Sequence, residues 1–231
     1  MKVSLVYLAG LSAAAVFGGP ASAAFVAPQS FTRAVGGNTY QHWDFFDAVP
    51  DATPDVANIN PNGQAVVANT AGGATALGSG NLYAPAGPGA FAVTIPEADV
   101  PGPPHNVTAV VQIKTQGTEL DYNSVLLNGL APVDTAELSR VALGGFGGEA
   151  VESWYLFHVP YAAFGDGDTL PDDLTLTFNA TGSHMSLDQL SIDTAIQPFG
   201  FFAEPNPVPE PGSLALLALA AGSVLQRRRR G

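Results

Sequence analysis

Large apolar side chains recur at every second position in several short stretches of the chain. Residues 91–95, 107–113 and 174–178 each carry them on one parity, with threonine or glutamine among the residues on the other. Successive side chains of a β-strand point to opposite faces of its sheet. The pattern therefore predicts three half-buried strands.

Two further stretches depart from simple alternation. Residues 154–159 are apolar on both parities, which is typical of a central strand of a sandwich. In residues 185–192 the apolar side chains change parity between Leu187 and Leu190. One extra residue restores the facing of a strand, so we expect a β-bulge at Asp188-Gln189.

The sequence of residues 134–143 is compatible with either a helix or a strand. Asp134 and Glu137 stand in a D-x-x-E capping box, and glycines follow Leu143, which favours a helix. The same residues also suit a strand. Residues 51–89 are rich in Ala, Gly, Asn and Pro, which predicts a loop-heavy region.

Clusters such as Pro101–Pro104 and Asn128-Gly129 separate the predicted strands with turns. Many short strands with turn signals between them predict an all-β fold, an antiparallel, jelly-roll-like β-sandwich over residues 24–206. The closing segment SHMSLDQLSIDT, residues 183–194, resembles the last strand of carbohydrate-binding and galactose-binding-like sandwiches.

The charge of this middle region limits its partners. Residues 24–208 hold 3 of the 8 basic and 19 of the 20 acidic side chains, a formal charge of −16. Nucleic acid and anionic lipid would be repelled, so neither is expected as a partner. The chain has no cysteine, which excludes disulfides, thiolate metal sites and a cysteine nucleophile.

The N-terminus has the pattern of a secretory signal peptide. Lys2 precedes an apolar run, a Gly-Gly-Pro breaker follows at residues 18–20, and Ala21 and Ala23 place small residues where signal peptidase reads them. We expect residues 1–23 to be removed by signal peptidase, with cleavage after Ala23.

The C-terminus carries a second targeting pattern. The apolar run Ser213–Leu225 would span about 20 Å as a helix, short of the hydrocarbon thickness of about 30 Å. Arginines after it oppose translocation, which predicts a body outside the membrane and a tail inside. Prolines on both sides of Glu210 prevent a regular helix there and hold the backbone extended. The elements of the pattern are Pro209, Glu210, Pro211, the apolar run, and Arg227, Arg228, Arg229 and Arg230.

Pro-Glu-Pro, a short apolar helix and an arginine cluster together resemble the PEP-CTERM sorting signal, here residues 207–231. The resemblance implies processing by an exosortase, a membrane-embedded, cysteine transpeptidase-like enzyme of Gram-negative bacteria. It also implies an inner-membrane intermediate, followed by the cell surface or the extracellular matrix, and an association with exopolysaccharide. We expect cleavage near Pro209–Pro211 and departure of the mature protein from the inner membrane.

Catalytic constellations are scarce in the body. Its histidines are isolated, and it has no GxSxG, Walker or HExxH motif. We therefore expect a non-enzymatic protein. The alternatives are a secreted carbohydrate-active hydrolase and a calcium-dependent glycan-binding module. For glycan binding, Trp43 is the candidate for stacking on sugar rings, whereas Trp154 lies in a run apolar on both parities and is expected to pack in the core.

A turn rich in carboxylates is the candidate metal site. Asp166, Asp168, Asp172 and Asp173 place oxygen ligands along it, as a hard cation such as Ca²⁺ requires, although the acidic pattern of an EF-hand is incomplete. A solvated turn is the alternative.

If the turn binds calcium, millimolar Ca²⁺ should raise the melting temperature of the protein, because a ligand of the folded state stabilises it by RT ln(1 + [L]/Kd). Differential scanning calorimetry measures this shift. A variant with all four aspartates changed to asparagine is the control and should show none. An equal shift in both proteins would remove the site from consideration.

Overall fold

A computed structural model describes residues 25–33, 35–96, 105–144, 147–164 and 173–207. These residues form twelve β-strands and two short 3-10 turns, Tyr122–Ser124 and Tyr161–Phe164. The strands are β1 (Thr39–Trp43), β2 (Val56–Ile59), β3 (Val66–Asn69), β4 (Thr75–Ala76), β5 (Leu82–Ala84), β6 (Ala90–Ile95), β7 (Asn106–Gly117), β8 (Leu126–Leu127), β9 (Asp134–Ala142), β10 (Glu149–Pro160), β11 (Leu174–Asn179) and β12 (Met185–Gln197).

The described strands lie in two antiparallel sheets. The large sheet has the order β2-β1-β12-β7-β10-β9, and β5, with β4 beside it, pairs with the first residues of β12. The small sheet has the order β3-β6-β11-β8. Three long strands, β12, β7 and β10, form the middle of the large sheet, and β7 pairs with both neighbours along its whole length.

The core lies between the two sheets and follows from the alternation of each strand. Residues 107, 109, 111 and 113 of β7 are buried in it, as are residues 91, 93 and 95 of β6 and 174, 176 and 178 of β11. The rings of Phe91 and Phe178, which are register partners in the small sheet, stack with their centroids 5.5 Å apart. The predicted all-β antiparallel sandwich is confirmed, and β6 and β11 are the half-buried strands that alternation predicts. The prediction is wrong for β7, because residues 107–113 are buried on both faces of the sheet.

The bulge predicted in the last strand is also confirmed. In β12, Leu187 pairs with Thr115 and Gln189 pairs with the adjacent Lys114, so Asp188 is the extra residue. The Asp188 carboxylate lies 3.0 Å from the Lys114 ammonium. The bulge lets both Leu187 and Leu190 point into the same core, which a regular strand cannot do.

The helix alternative for residues 134–143 is wrong. Asp134–Ala142 is the edge strand β9, which pairs with β10 from Leu156 to Glu149 with one shift of register. Ala136 and Leu138 share one face of it and pack on a cluster below, so the period of two outweighs the capping box. The loop-heavy region, residues 51–89, also holds four short strands, β2 to β5.

The outer face of the large sheet is not left bare. A second cluster lies there, and two irregular segments cover it. We call residues 25–33 the N-terminal segment and residues 201–207 the strap. Phe31 of the N-terminal segment and Phe202 of the strap contribute to this cluster, with ring centroids 5.5 Å apart. The sheet contributes Val110, Trp154, Leu156 and Ala195, with Ala136 and Leu138 at its edge.

A buried ion pair fixes the N-terminal segment to β12. Arg33 donates from Nε to Asp193 Oδ1 at 2.5 Å and from Nη2 to Oδ2 at 2.8 Å, while its guanidinium lies 3.5 Å from the ring centroid of Tyr40. The Asp193 side chain is fully buried. Burial raises the pKa of Asp193 to about 6, against the opposing effect of Arg33. The pair therefore holds an ionised carboxylate where desolvation favours the neutral acid.

Arg33→Met should lower the free energy of unfolding by about 3 kcal/mol at pH 7.5, because it leaves a buried carboxylate without its partner. The loss should shrink at pH 5. The folded-state pKa of Asp193 is raised above its unfolded value, so the neutral form stabilises the fold at low pH and this contribution disappears as pH rises through the folded pKa. Urea unfolding at the two pH values measures both losses.

Lys114→Met is the matched control, since the pair of Lys114 and Asp188 has side chains 23% and 21% exposed. Its loss should stay below about 1 kcal/mol, without the same dependence on pH. Equal losses for Arg33→Met at pH 7.5 and pH 5 would contradict the role assigned to Asp193.

Candidate functional site

A polar groove lies at one end of the large sheet, where β5, β12 and β7 run side by side. Their register places Tyr83, Ser186 and Gln116 in one row across the three strands. Met185 and Leu187, on either side of Ser186, point into the core, so this row points to the outer face. The sheet thus presents three neutral hydrogen-bonding side chains together.

The groove has a volume of about 710 Å³. Loops after β7 and β9 and before β10 and β12 complete its walls. Its lining residues are Asn81, Tyr83, Gln116, Gly117, Thr118, Leu143, Gly147, Gly148, His184 and Ser186. None of these ten residues carries a carboxylate, an ammonium or a guanidinium group.

Two glycines make part of the groove from bare backbone. Both have positive φ angles, 85° at Gly117 and 86° at Gly148. A Cβ atom at Gly117 would lie 2.5 Å from the carbonyl oxygen of His184, and one at Gly148 would lie 2.7 Å from the carbonyl oxygen of Gly117. No other residue fits this close approach, so the two glycines allow the loops at this end of the sheet to pack backbone against backbone.

His184 is held in an uncommon backbone conformation at the edge of the groove. Its φ angle is +69°, in the left-handed region. Its amide donates to the carbonyl oxygen of Ala84 at 2.8 Å. The Tyr83 hydroxyl and His184 Nδ1 are 2.7 Å apart, and the two ring centroids are 6.1 Å apart. Residues kept in such conformations cluster at binding and catalytic sites.

A short chain of hydrogen bonds fixes the wall formed by β5. Ser79 Oγ donates to Asn81 Oδ1, and Asn81 Nδ2 donates to Ser186 Oγ. On the opposite side, Thr118 Oγ1 donates to the carbonyl oxygen of Ser183. These bonds orient neutral side chains before a ligand arrives, which lowers the entropic cost of binding.

A second, smaller cavity of about 200 Å³ lies under β9, lined by Tyr122, Thr135, Ala136, Glu137, Ser153 and Tyr155. Burial raises the pKa of the Tyr155 hydroxyl, against the opposing effect of the neighbouring Ser153 side chain. Beside the cavity, the Arg140 guanidinium binds the carboxylates of Glu119, Glu137 and Glu149. These charged groups are exposed, so they act as a solvated surface network.

The strap leads from β12 to the sorting signal predicted at residues 207–231. It starts where Asn106 Nδ2 donates to the carbonyl oxygen of Gly200 at 3.2 Å. It then crosses β7, where the Phe202 amide donates to Thr108 Oγ1 at 3.0 Å. It ends at β9, where Asn206 Nδ2 donates to the Asp134 carboxylate at 3.1 Å. These three hydrogen bonds join the chain from Gly200 to Asn206 to the first three residues of β7 and to the first residue of β9.

The groove and the strap therefore lie at opposite ends of β7. Asn106, its first residue, contacts the start of the strap, and Gly117, its last, lines the groove. A strand of this length spans about 36 Å. The strap ends beside Asp134, which the register places level with Val110, so the last described residues of the strap lie nearer the groove than its start does.

The structure contradicts the prediction that Trp43 stacks on sugar rings. Its side chain is fully buried in the core and stacks on Phe46 with ring centroids 6.3 Å apart. The prediction of an exposed Trp43 is wrong, because β1 turns this residue inward beside β12. Trp154 is buried too, as expected, in the outer cluster.

Most other predicted site residues lie outside the described part of the chain. These are Ala21 and Ala23 at the signal cleavage site, the aspartates at 166, 168 and 172, and the sorting residues 209–211 and 227–230. Asp173 is described and directly precedes β11. Among the described residues, no three His, Asp or Glu side chains are placed to share a metal ion. The described ranges likewise hold no helix with the length and apolarity to cross a membrane.

Sequence reasoning missed the groove. Its side chains come from strands distant in sequence, and only their register brings residues 83, 116 and 186 together. The available signal was local: glycine ends the alternating run of β7, and His-Met-Ser opens that of β12. Neither of these two features predicts a pocket unless the pairing of the strands is known.

Comparison with known proteins identifies the C-terminal part of the chain. Residues 207–230 match the model of the PEP-CTERM protein-sorting motif, which begins at the last described residue of the strap. No curated protein and no solved structure matches the chain. The motif implies an exosortase as the processing partner and export through the membrane to the cell surface. The predicted sorting signal is confirmed, and the chain is a PEP-CTERM protein.

Proposed function

We propose that this PEP-CTERM protein is a non-enzymatic component of the surface or extracellular matrix of a Gram-negative bacterium, where its groove binds neutral sugar units of an exopolysaccharide. Signal peptidase removes residues 1–23, and the C-terminal signal holds the body at the inner membrane until the exosortase cuts it near Pro209–Pro211. The observation that carries the binding role is the groove, with its paired rings and neutral polar wall.

The chemistry of the groove suits a sugar. Aromatic rings such as Tyr83 and His184 offer faces to the C–H groups of a pyranose. Side-chain amides and hydroxyls of Asn81, Gln116 and Ser186 match sugar hydroxyls. The volume of about 710 Å³ is that of an ordinary ligand site.

The charge of the body selects among polysaccharides. A formal charge of −16 over residues 24–208 repels acidic polymers, so a neutral glycan is the ligand class we assign. Hydrolysis of a glycosidic bond normally uses two carboxylic acids. The ten lining residues contribute none, which favours binding over cleavage.

The position of the groove supports a role at the surface. It lies about 36 Å from the end of β7 at which the strap begins. None of the described strap residues lines the groove, so a docked strap leaves the groove uncovered. A long polymer could then be bound before and after processing.

Tyr83→Ala should weaken binding of a neutral bacterial polysaccharide about tenfold, or about 1.4 kcal/mol, because it removes a ring and its hydroxyl from the groove. Affinity electrophoresis across a panel of neutral polysaccharides measures this. Phe199→Ala is the control, since Phe199 is 75% exposed beside the strap and should not affect binding. Equal binding by all three proteins, or binding by none, would contradict the assignment. Polymer length after incubation tests for hydrolysis.

In a host with an exosortase, intact-mass analysis should find a protein that begins near Ala24 and ends near Pro209–Pro211. Glu210→Ala, or deletion of Arg227–Arg230, should leave uncut or missorted precursor, because each removes one element of the matched signal. Glu119→Ala removes an acidic side chain elsewhere and should be processed normally. A surface form that keeps its arginines would show an ordinary anchor instead.

A further inference from the structure

We propose that the docked strap restricts exosortase processing of the sorting signal, and that the strap must leave the outer face of the sheet before the enzyme can cut. This inference rests on the proposed cleavage near Pro209–Pro211. It concerns when the signal becomes accessible, which the motif itself does not determine.

The strap is bound along its length. Glu204, 9% exposed, accepts from the amides of Gln29 and Ser30 at 2.6 and 2.8 Å and from Ser30 Oγ at 2.5 Å. Phe201 stacks on His158 with ring centroids 4.3 Å apart and planes 4° apart. The strap is therefore attached both to the sheet and to the N-terminal segment.

The attachment continues to within a few residues of the cleavage region. Asn206 Nδ2 donates to both carboxylate oxygens of Asp134, at 3.1 and 3.2 Å, and to the carbonyl oxygen of Thr135 at 3.2 Å. Pro207 is buried. Glu210 lies only four positions after Asn206, a reach of at most about 14 Å.

That distance is small for an enzyme. Even a small domain of about 100 residues has a radius of gyration of about 13 Å. An active site that encloses Glu210 and its neighbours therefore meets the body when the strap is docked. Release back to Gly200 extends the reach to ten residues, about 35 Å. An exosortase therefore has room to enclose the cleavage region when the strap is released, but not when the strap is docked.

The test follows processing of the full chain by pulse labelling in a host with an exosortase. Glu204→Gln keeps the shape of the side chain but removes its charge, which weakens three hydrogen bonds. We expect it to shorten the half-time of tail removal by about threefold or more. Glu119→Gln removes the same charge from an exposed carboxylate away from the strap and should process at the normal rate.

A second variant leaves the body untouched. A Gly/Ser linker of about twelve residues between Asn206 and Pro207 adds a root-mean-square span of about 19 Å and preserves the matched motif. It should process faster than the natural chain. Adding Glu204→Gln to it should bring no further acceleration, because the reach no longer depends on release of the strap.

Unchanged or slower processing of the linker variant, in a host that cuts the natural chain, overturns the inference while the sorting assignment stands. Acceleration by Glu204→Gln that persists in full in the linker variant also overturns it, since that result indicates general unfolding. Failure to cut any form, including the natural chain, overturns the cleavage proposal and this inference with it.

Discussion

The pairing of β7 with β10 on one side and β12 on the other is the constraint on which the structure depends. Twelve register pairs join β7 to β10, and β12 follows β7 from Gly117 to Asn106 through its bulge. This register decides which side chains enter the core. It also brings Gln116 beside Ser186 at one end and Thr108 under the strap at the other. The groove and the start of the strap therefore lie at the two ends of the same paired strands.

The sandwich could be predicted because its signals are local. Alternation in residues 91–95 and 174–178 and the parity change at Asp188 each report a single strand, and each was read correctly. Residues 134–143 were ambiguous because a capping box and a period of two coexist there, and only pairing with β10 decides between them. The sugar-stacking prediction for Trp43 is wrong for a related reason, because the residue types of β1 do not show which of its faces is covered.

The outer face illustrates what sequence could not provide. Gln112 lies on the polar side of the strand predicted at residues 107–113, yet it is buried, and so is Asp193 of β12. Gln112 binds the amide and carbonyl of Val26 at 2.8 and 2.9 Å, and Asp193 binds Arg33. Irregular segments without periodicity supply these partners. Burial of a polar strand face thus depends on contacts that no local pattern records.

The contacts of the strap also have a mechanical consequence. A pull on the tail first loads Asn206, then Glu204, then Phe202, so these contacts break one after another. β12, by contrast, is joined to β1 and β7 by many hydrogen bonds that bear a load at the same time. A pulling force on the chain after Pro207 would therefore lengthen the connection by about 20 Å before the sandwich itself bears the force. The strap gives the body a compliant attachment.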